Sequence, residues 1–302
     1  MLSQQARQLF DEIRSANSGG GDAFSLEEER LNSGQAGILT GEPLGVEYDE
    51  TTIAGLRTVI AKPRIRNPRR KLIFLHGGAF ALMSPETHSR MAGHLARACR
   101  AEVYVPEYSL APEHPYPAAL NECVDFTSHF TEAKHLRNAA IVLAGDSAGG
   151  GLALSAAMKM RDGGMALPAC LTLLCPWLDL TLQSQSIESN RDRALFLSRR
   201  NLEAFANLYV NDADQLAHPY ISPLYGSLTD LPPIYLQGAE YDMLLGDSAR
   251  LHEKAFAEDA PLRYDLFPLM PHSFQFFAGR IPEADAAISQ IGHYLDQTLG
   301  AG

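Results

Sequence analysis

The chain has 302 residues, of which 46% are hydrophobic and 20% charged, a balance typical of globular proteins. Its formal net charge of -11 argues against a nucleic-acid partner, because binding to phosphates needs clustered lysine and arginine side chains. No stretch approaches about 18 uninterrupted apolar residues, so the sequence predicts no membrane-spanning segment and no membrane partner.

The first forty residues carry helix and loop patterns but no strand pattern. The start of the chain lacks the charged leader and apolar run of a signal peptide, so we expect a cytoplasmic protein. The stretch from Ser18 to Gly21 predicts a flexible break within this segment. We interpret residues 1–40 as an N-terminal segment and residues 41–302 as the main domain.

From residue 41 onward, short apolar runs alternate with helical patterns. Most of the later runs lack polar alternation, which is typical of strands covered on both faces. The order of elements predicts a mostly parallel α/β sheet of eight strands flanked by helices. Strands are predicted over 45–50, 56–62, 71–76, 102–106, 139–144, 170–175, 233–237 and 262–267, and helices over 88–100, 117–129, 147–160, 247–257 and 284–299.

An insertion over about residues 183–215 interrupts this alternation. Because α/β proteins place their sites at the carboxyl edge of the sheet, we interpret the insertion and residues 1–40 as parts of a helical cap over that edge. Helices that only pack against the core are the alternative. The insertion's apolar residues, at roughly helical spacing, are Phe196, Leu197, Leu202, Phe205, Leu208 and Tyr209.

The motif that carries most chemical information is Gly145-Asp146-Ser147-Ala148-Gly149, which follows an apolar run and precedes a helix pattern. Strand, sharp turn and helix in that order make G-x-S-x-G indicative of a nucleophile. The glycines permit a strained backbone, and the helix N-terminus supplies N–H groups and a partial positive charge. We therefore predict Ser147 as the nucleophile and the Ala148 N–H as one donor of an oxyanion hole.

A second glycine-rich motif, His76-Gly77-Gly78-Ala79-Phe80, follows the third predicted strand. Such a loop presents backbone N–H groups toward the serine without obstruction by side chains. We expect Gly77 and Gly78 to complete the oxyanion hole and His76 to form structural hydrogen bonds.

The general base is expected near the end of the chain, because α/β-hydrolases have the order serine, acid, histidine. His272 lies in the loop just after the last predicted strand, whereas His252 and His293 fall within helix patterns. His272 is therefore the predicted base, and His293 is expected at the surface.

The acid is expected after the seventh predicted strand, where three carboxylates lie close together. Asp242 occupies the loop position best placed to reach His272, and Glu240 is the alternative. Asp247 has the character of a residue at a helix N-terminus. A buried carboxylate at the acid position would fix the tautomer of the imidazole and stabilise the imidazolium.

From about residue 45 to 300 the chain resembles the hormone-sensitive-lipase-like esterases, often called bacterial family IV. It departs from the family where Ala79 replaces a third glycine and where Ser109 replaces the usual arginine. The matching segments are His76-Gly77-Gly78, Tyr108 to Ala119, Gly145 to Gly149, Ser222-Pro223-Leu224, Leu231-Pro232-Pro233 and Met270 to Phe274.

The resemblance implies the α/β-hydrolase fold with a helical cap, no cofactor, and a serine carboxylesterase that cleaves short- to medium-chain acyl esters through an acyl-enzyme. A lactonase, a deacetylase or an amidase on the same triad are the alternatives within enzymes. Plant gibberellin receptors resemble the family but lack the catalytic histidine, so His272 disfavours a non-enzymatic receptor.

The expected ligand is a small-molecule ester, and a homodimer is possible. We expect Phe80, Asp146, Trp177 and Phe196 at the substrate site. Asp146 is expected as an orienting hydrogen bonder, and a packing role is equally open for Trp177. The four cysteines lack C-x-x-C spacing and lie in apolar runs, so we expect buried free thiols and no metal site.

Overall fold

The computed structural model describes residues 1–17 and 24–300, so the predicted break from Ser18 to Gly21 lies outside it. Eight strands form one sheet in the order β1-β2-β4-β3-β5-β6-β7-β8. The predicted eight-stranded sheet is therefore confirmed. The strands are β1 (Val46–Ile53), β2 (Leu56–Pro63), β3 (Arg70–Leu75), β4 (Glu102–Pro106), β5 (Ala140–Asp146), β6 (Cys170–Leu174), β7 (Ile234–Ala239) and β8 (Leu262–Phe267).

The helices that flank the sheet match the predicted ones, with ends that differ by a few residues. The third helix begins at Pro85 rather than at the predicted His88, because the Ser84 N–H donates to the Thr87 hydroxyl at 3.1 Å and a proline occupies the first turn. The helices are α1 (Gln4–Asn17), α2 (Leu26–Ser33), α3 (Pro85–Cys99), α4 (Ala118–Thr131), α5 (Ser147–Asp162), α6 (Ser186–Ser189), α7 (Arg199–Tyr209), α8 (Leu245–Ala257) and α9 (Pro282–Leu299).

The strand directions place the functional loops at one edge. β1 and β2 form an antiparallel hairpin and β2 pairs antiparallel with β4, while β4, β3, β5, β6, β7 and β8 all run parallel. The carboxyl ends of parallel strands lie at the same edge of a sheet. The loops after β3, β5, β7 and β8, which carry the predicted site residues, therefore converge.

Apolar side chains cover both faces of the sheet. Within β5, Ile141 and Leu143 belong to one core cluster, which includes residues of α4, α5 and α8. Val142 and Ala144 belong to the other cluster, which includes residues of α1, α3 and α9. The continuous apolar runs of the sequence are thus explained by burial on both sides. Within the described residues, none of the helices has the length and hydropathy needed to cross a membrane.

The thiols are free and buried, as predicted: Cys99, Cys123, Cys170 and Cys175. Burial raises the pKa of Cys99 to about 12, so this thiol stays protonated and packs as a small apolar group.

A buried guanidinium joins the start of β3 to the end of the chain. Arg70 is 2% exposed, and its Nη1 donates to the Cys99 carbonyl at 3.0 Å and to Asp296 Oδ1 at 2.8 Å. Its Nη2 donates to the Gly300 carbonyl at 2.7 Å. Removing this group would take the guanidinium donor from the buried Cys99 carbonyl and one of two arginine partners from Asp296.

Replacing Arg70 with methionine should lower the free energy of unfolding by about 1–3 kcal/mol, because the buried Cys99 carbonyl loses this donor and Asp296 keeps only its pair with Arg100. Arg69→Met is the matched control. Arg69 is the exposed neighbour of Arg70, and its side chain should contribute less than about 0.5 kcal/mol to the free energy of unfolding. Urea denaturation of both variants measures the difference. Equal midpoints for the two variants would contradict the role assigned to Arg70.

Candidate active site

The nucleophile lies at a sharp turn between β5 and α5. Ser147 directly follows the last residue of β5 and has a φ of 52°, a strained conformation for a residue with a side chain. Gly149 is required beside it, since a Cβ there would overlap the Leu75 carbonyl oxygen. The turn thus holds the hydroxyl at the N-terminus of α5, where the helix dipole favours developing negative charge.

The structure brings the three predicted catalytic residues together. His272 Nε2 lies 2.9 Å from Ser147 Oγ, and His272 Nδ1 lies 2.8 Å from Asp242 Oδ2. All three side chains are buried. With the Nδ1 proton donated to Asp242, Nε2 is free to accept the serine proton, which is the arrangement of a Ser-His-Asp triad.

The alternative acid, Glu240, has a different partner. Its Oε2 accepts a hydrogen bond from the Leu269 N–H at 2.8 Å, so it holds the loop that carries the base. Asn190, in the insertion, donates to the carbonyls of Glu240 and Asp242 at 2.9 and 2.8 Å. The geometry therefore favours Asp242 as the acid.

The charges around His272 set its basicity. Burial is the largest influence and lowers the pKa of His272. The Asp242 carboxylate and the Asp146 charge outweigh it and leave the pKa above its ordinary value of 6.5. The imidazolium formed during proton transfer is therefore stabilised.

The structure corrects the expectation that the Gly77 N–H is a donor of the oxyanion hole. The Gly77 N–H donates to Asp146 Oδ1 at 2.8 Å, so it is already engaged and does not face the serine as a free donor. Beyond it, Gly78, Ala79 and Phe80 have φ values of 110°, 52° and 63°. These left-handed residues turn the loop sharply, which leaves the amides of Gly78 and Ala79 as the loop's candidates for an oxyanion hole.

His76 has the predicted structural role. Its Nδ1 donates to the Gly77 carbonyl at 2.7 Å, and its ring stacks on Tyr108 with centroids 4.3 Å apart. The Tyr108 hydroxyl donates to the His76 carbonyl at 2.6 Å. Burial lowers the pKa of His76 to about 3, so the ring is neutral.

Two of the aromatic residues expected at the substrate site contact each other, and one of them is tied to the nucleophile turn through its backbone. The backbone N–H of Trp177 donates to the Ser147 carbonyl at 2.9 Å, and the Trp177 ring centroid lies 5.7 Å from that of Phe80. Phe80 in turn stacks on Tyr209 of α7 at 3.9 Å. By contrast, Phe196 is 43% exposed, and its ring centroid lies 6.3 Å from that of Phe277, which is not a triad residue.

Asp247 has a partner that the sequence does not reveal. Its buried Oδ2 accepts the N–H groups of Leu178 and Asp179 at 2.8 and 2.9 Å, so it anchors the loop that carries Trp177. Burial raises the pKa of Asp247 to about 8, which the two hydrogen bonds oppose. The sequence indicates only that Asp247 lies near the N-terminus of a helix, which does not reveal this role.

The chain is similar to known hydrolases and esterases. A family described as having the α/β-hydrolase fold matches residues 72–276. An acetyl-hydrolase of Streptomyces hygroscopicus is 33% identical over 259 residues, which cover 86% of each chain. An esterase of Acinetobacter venetianus is 36% identical over 225 residues, which cover 74% of each chain.

Solved structures extend the similarity to nearly the whole chain. An esterase from the bacterial hormone-sensitive lipase family superposes with a TM-score of 0.91 at 27% identity, covering 99% of this chain and 100% of that one. An esterase/lipase from an uncultured bacterium gives the same TM-score, identity and coverage.

The roles of the two carboxylates are separable by covalent labelling. An organophosphate should modify Ser147. Asp242→Asn should slow that reaction by about 10³- to 10⁴-fold, because the imidazole is no longer held in the tautomer whose Nε2 accepts the serine proton. Glu240→Gln, the matched control, should slow it far less. The rate of adduct formation, with the adduct located by peptide mass spectrometry, decides between them. A larger effect from Glu240→Gln would mean that Glu240 is the acid.

Proposed function

The chain belongs to the α/β-hydrolase fold family, among the hormone-sensitive-lipase-like esterases, and from this premise we propose that Ser147, His272 and Asp242 are its catalytic triad. The protein is a carboxylic ester hydrolase. One observation carries the triad assignment: a single imidazole lies 2.9 Å from the Ser147 hydroxyl and 2.8 Å from the Asp242 carboxylate.

The order of proton transfers follows from the position of His272 between Ser147 and Asp242. Ser147 Oγ attacks the ester carbonyl carbon while His272 Nε2 takes the hydroxyl proton, which gives a tetrahedral oxyanion. The intermediate collapses to an acyl-serine as His272 returns the proton to the leaving alcohol. Water then attacks the acyl group while His272 takes one of its protons, and the second tetrahedral intermediate collapses to the acid as His272 returns that proton to Ser147 Oγ.

We assign the oxyanion hole to the N–H groups of Gly78, Ala79 and Ala148. The Gly77 N–H is excluded because it donates to Asp146. The Ala148 N–H lies in the first turn of α5, where amides have no partner within the helix. Backbone donors in a buried site are preorganised for the charge that develops in the transition state.

We further propose that residues 1–40 and about 183–215 form a cap over residues 41–302. Contacts between the two segments support this reading: Asn201 of α7 donates to Glu29 of α2 at 2.8 Å, and Phe24 packs edge-on against Phe205 at 5.1 Å. Arg30 of α2 also donates to the Ala81 carbonyl at 3.0 Å, close to the oxyanion loop.

The substrates we propose are esters with acyl chains of about four to eight carbons. The rings of Phe80, Trp177 and Tyr209 form a buried cluster, and we expect this cluster to limit the acyl pocket. We retain Asp146 as an orienting residue and Phe196 as a residue of the substrate site. A homodimer also remains a proposal, motivated by the exposed Leu266 on the edge strand β8.

The test of acyl length is a series of p-nitrophenyl esters from acetate to palmitate. kcat/KM should rise over a few carbons, because each buried methylene contributes about 0.8 kcal/mol, and collapse when further burial overpacks the pocket. Tyr209→Ala should move the optimum to longer chains, whereas Phe256→Ala, at an exposed position on α8, should not. An optimum at about twelve carbons or beyond would overturn the short-chain proposal, and equal rates for Ser147→Ala and wild type would overturn the triad.

The pH dependence follows from the raised pKa of His272. Protonated His272 cannot accept the serine proton, so kcat/KM should fall as the pH drops through this pKa. The midpoint of the ascending limb should therefore lie above 6.5. Asp146→Asn removes one of the charges that raise the pKa and should move the limb toward lower pH. A midpoint below about 6, or a flat profile, would contradict this charge arrangement.

A further inference from the structure

A second buried histidine lies next to the site but outside the triad. His88 of α3 is 0% exposed, and its Nε2 lies 3.3 Å from Asp146 Oδ1 and 3.3 Å from the Gly77 nitrogen, whose N–H is shared between the two. Its Nδ1 lies 2.9 Å from the Thr87 hydroxyl and 3.3 Å from the Ser84 carbonyl. Both ring nitrogens thus have polar partners, which fixes the position of the imidazole within the helix.

The partner of His88 connects the two loops that carry the chemistry. Asp146, 2% exposed, directly precedes Ser147. Its Oδ1 accepts the Gly77 N–H at 2.8 Å, and its Oδ2 lies 3.4 Å from the hydroxyl of Ser273, the residue after His272. One carboxylate therefore touches the oxyanion loop and faces the loop of the base.

A buried carboxylate needs a strong partner to stay charged and in place. Burial raises the pKa of Asp146, but the charge and hydrogen bond of His88, the charge of His272 and the Gly77 N–H outweigh it, and the pKa lies below 3.8. Among the described residues, the basic side chain within 4 Å of this carboxylate is His88. Without it, the amide of Gly77 would be the main restraint on the carboxylate.

We propose that His88 is a positioning residue of the active site. It holds the Asp146 carboxylate in the orientation that fixes the Gly77 peptide, and the fixed peptide directs the following N–H groups of Gly78 and Ala79 at the oxyanion. His88 touches neither the substrate nor the triad. This role rests on the proposed esterase mechanism and adds α3 to the elements that build its oxyanion hole.

The competing explanation is that His88 only packs. Its ring lies edge-on to Phe276 at 4.6 Å and near Phe74 at 6.1 Å, so an apolar side chain would satisfy the packing. A glutamine would instead return a polar amide at about the place of Nε2, where its N–H can pair with Asp146 or its oxygen with the Gly77 N–H. His88→Leu therefore keeps the packing but removes the hydrogen-bonding group, whereas His88→Gln keeps a hydrogen-bonding group.

The experiment measures kcat and KM on a short-chain p-nitrophenyl ester together with the melting temperature. His88→Leu should fold and lower kcat by about 10- to 100-fold, with KM within about twofold of the wild-type value. The expected loss is at most that caused by removing one oxyanion-hole donor, because a misdirected N–H still contributes part of its stabilisation. His88→Gln should recover most of that loss. His94→Leu, the matched control further along α3 whose ring contacts the Gly41 carbonyl, should leave kcat unchanged.

Asp146→Asn gives an independent arm if the leucine variant fails to fold. It should lower kcat to a similar degree, and the double variant with His88→Leu should lose little more than either single variant, because both break the same link. Additive losses would overturn the proposal, as would a full kcat for His88→Leu or equal losses for leucine and glutamine. Failure of the triad itself would appear separately, as full activity in Ser147→Ala.

Discussion

The close approach of α5 to the end of β3 is the constraint on which the site depends. Gly149 lies so near the carbonyls of Leu75 and His76 that no side chain fits between them. This contact sets the nucleophile turn directly beside the oxyanion loop, because β3 and β5 are paired neighbours in the sheet. The strain at Ser147 is therefore maintained by backbone packing, and the hydroxyl is presented without any motion of the turn.

Buried carboxylates fix the loops at this edge of the sheet. Asp146 accepts the Gly77 N–H, Asp242 accepts the Leu244 N–H at 2.8 Å, and Asp247 accepts two amides of the loop after β6. Each restrains a loop that has no ladder hydrogen bonds of its own. The loops of the candidate active site are thus preorganised by hydrogen bonds to buried carboxyl groups. This is the condition that oxyanion stabilisation requires.

The sequence predicts what depends on local pattern. Periodicity, spacing and chain order predict both glycine-rich loops, the eight strands and the position of His272. The fold of the structure agrees with the predicted one. The use of individual amides depends on tertiary contacts: that the Gly77 N–H turns to Asp146 is decided by a residue 69 positions away. His88 and Asp247 look like ordinary helix residues for the same reason, because their partners lie on other elements.

The departure at position 109 shows how such contacts redistribute. The family resemblance implies an arginine there, but Ser109 occupies the position, and its N–H and hydroxyl donate to Glu122 at 2.6 and 2.7 Å. A guanidinium is supplied nearby by Arg30 of α2, which pairs with Glu113 and donates to the Ala111 carbonyl at 2.9 Å. The same side chain reaches the Ala81 carbonyl beyond the oxyanion loop. Since Arg30 belongs to the proposed cap, its hydrogen bond to the Ala81 carbonyl links the cap to the residue that directly follows the oxyanion loop.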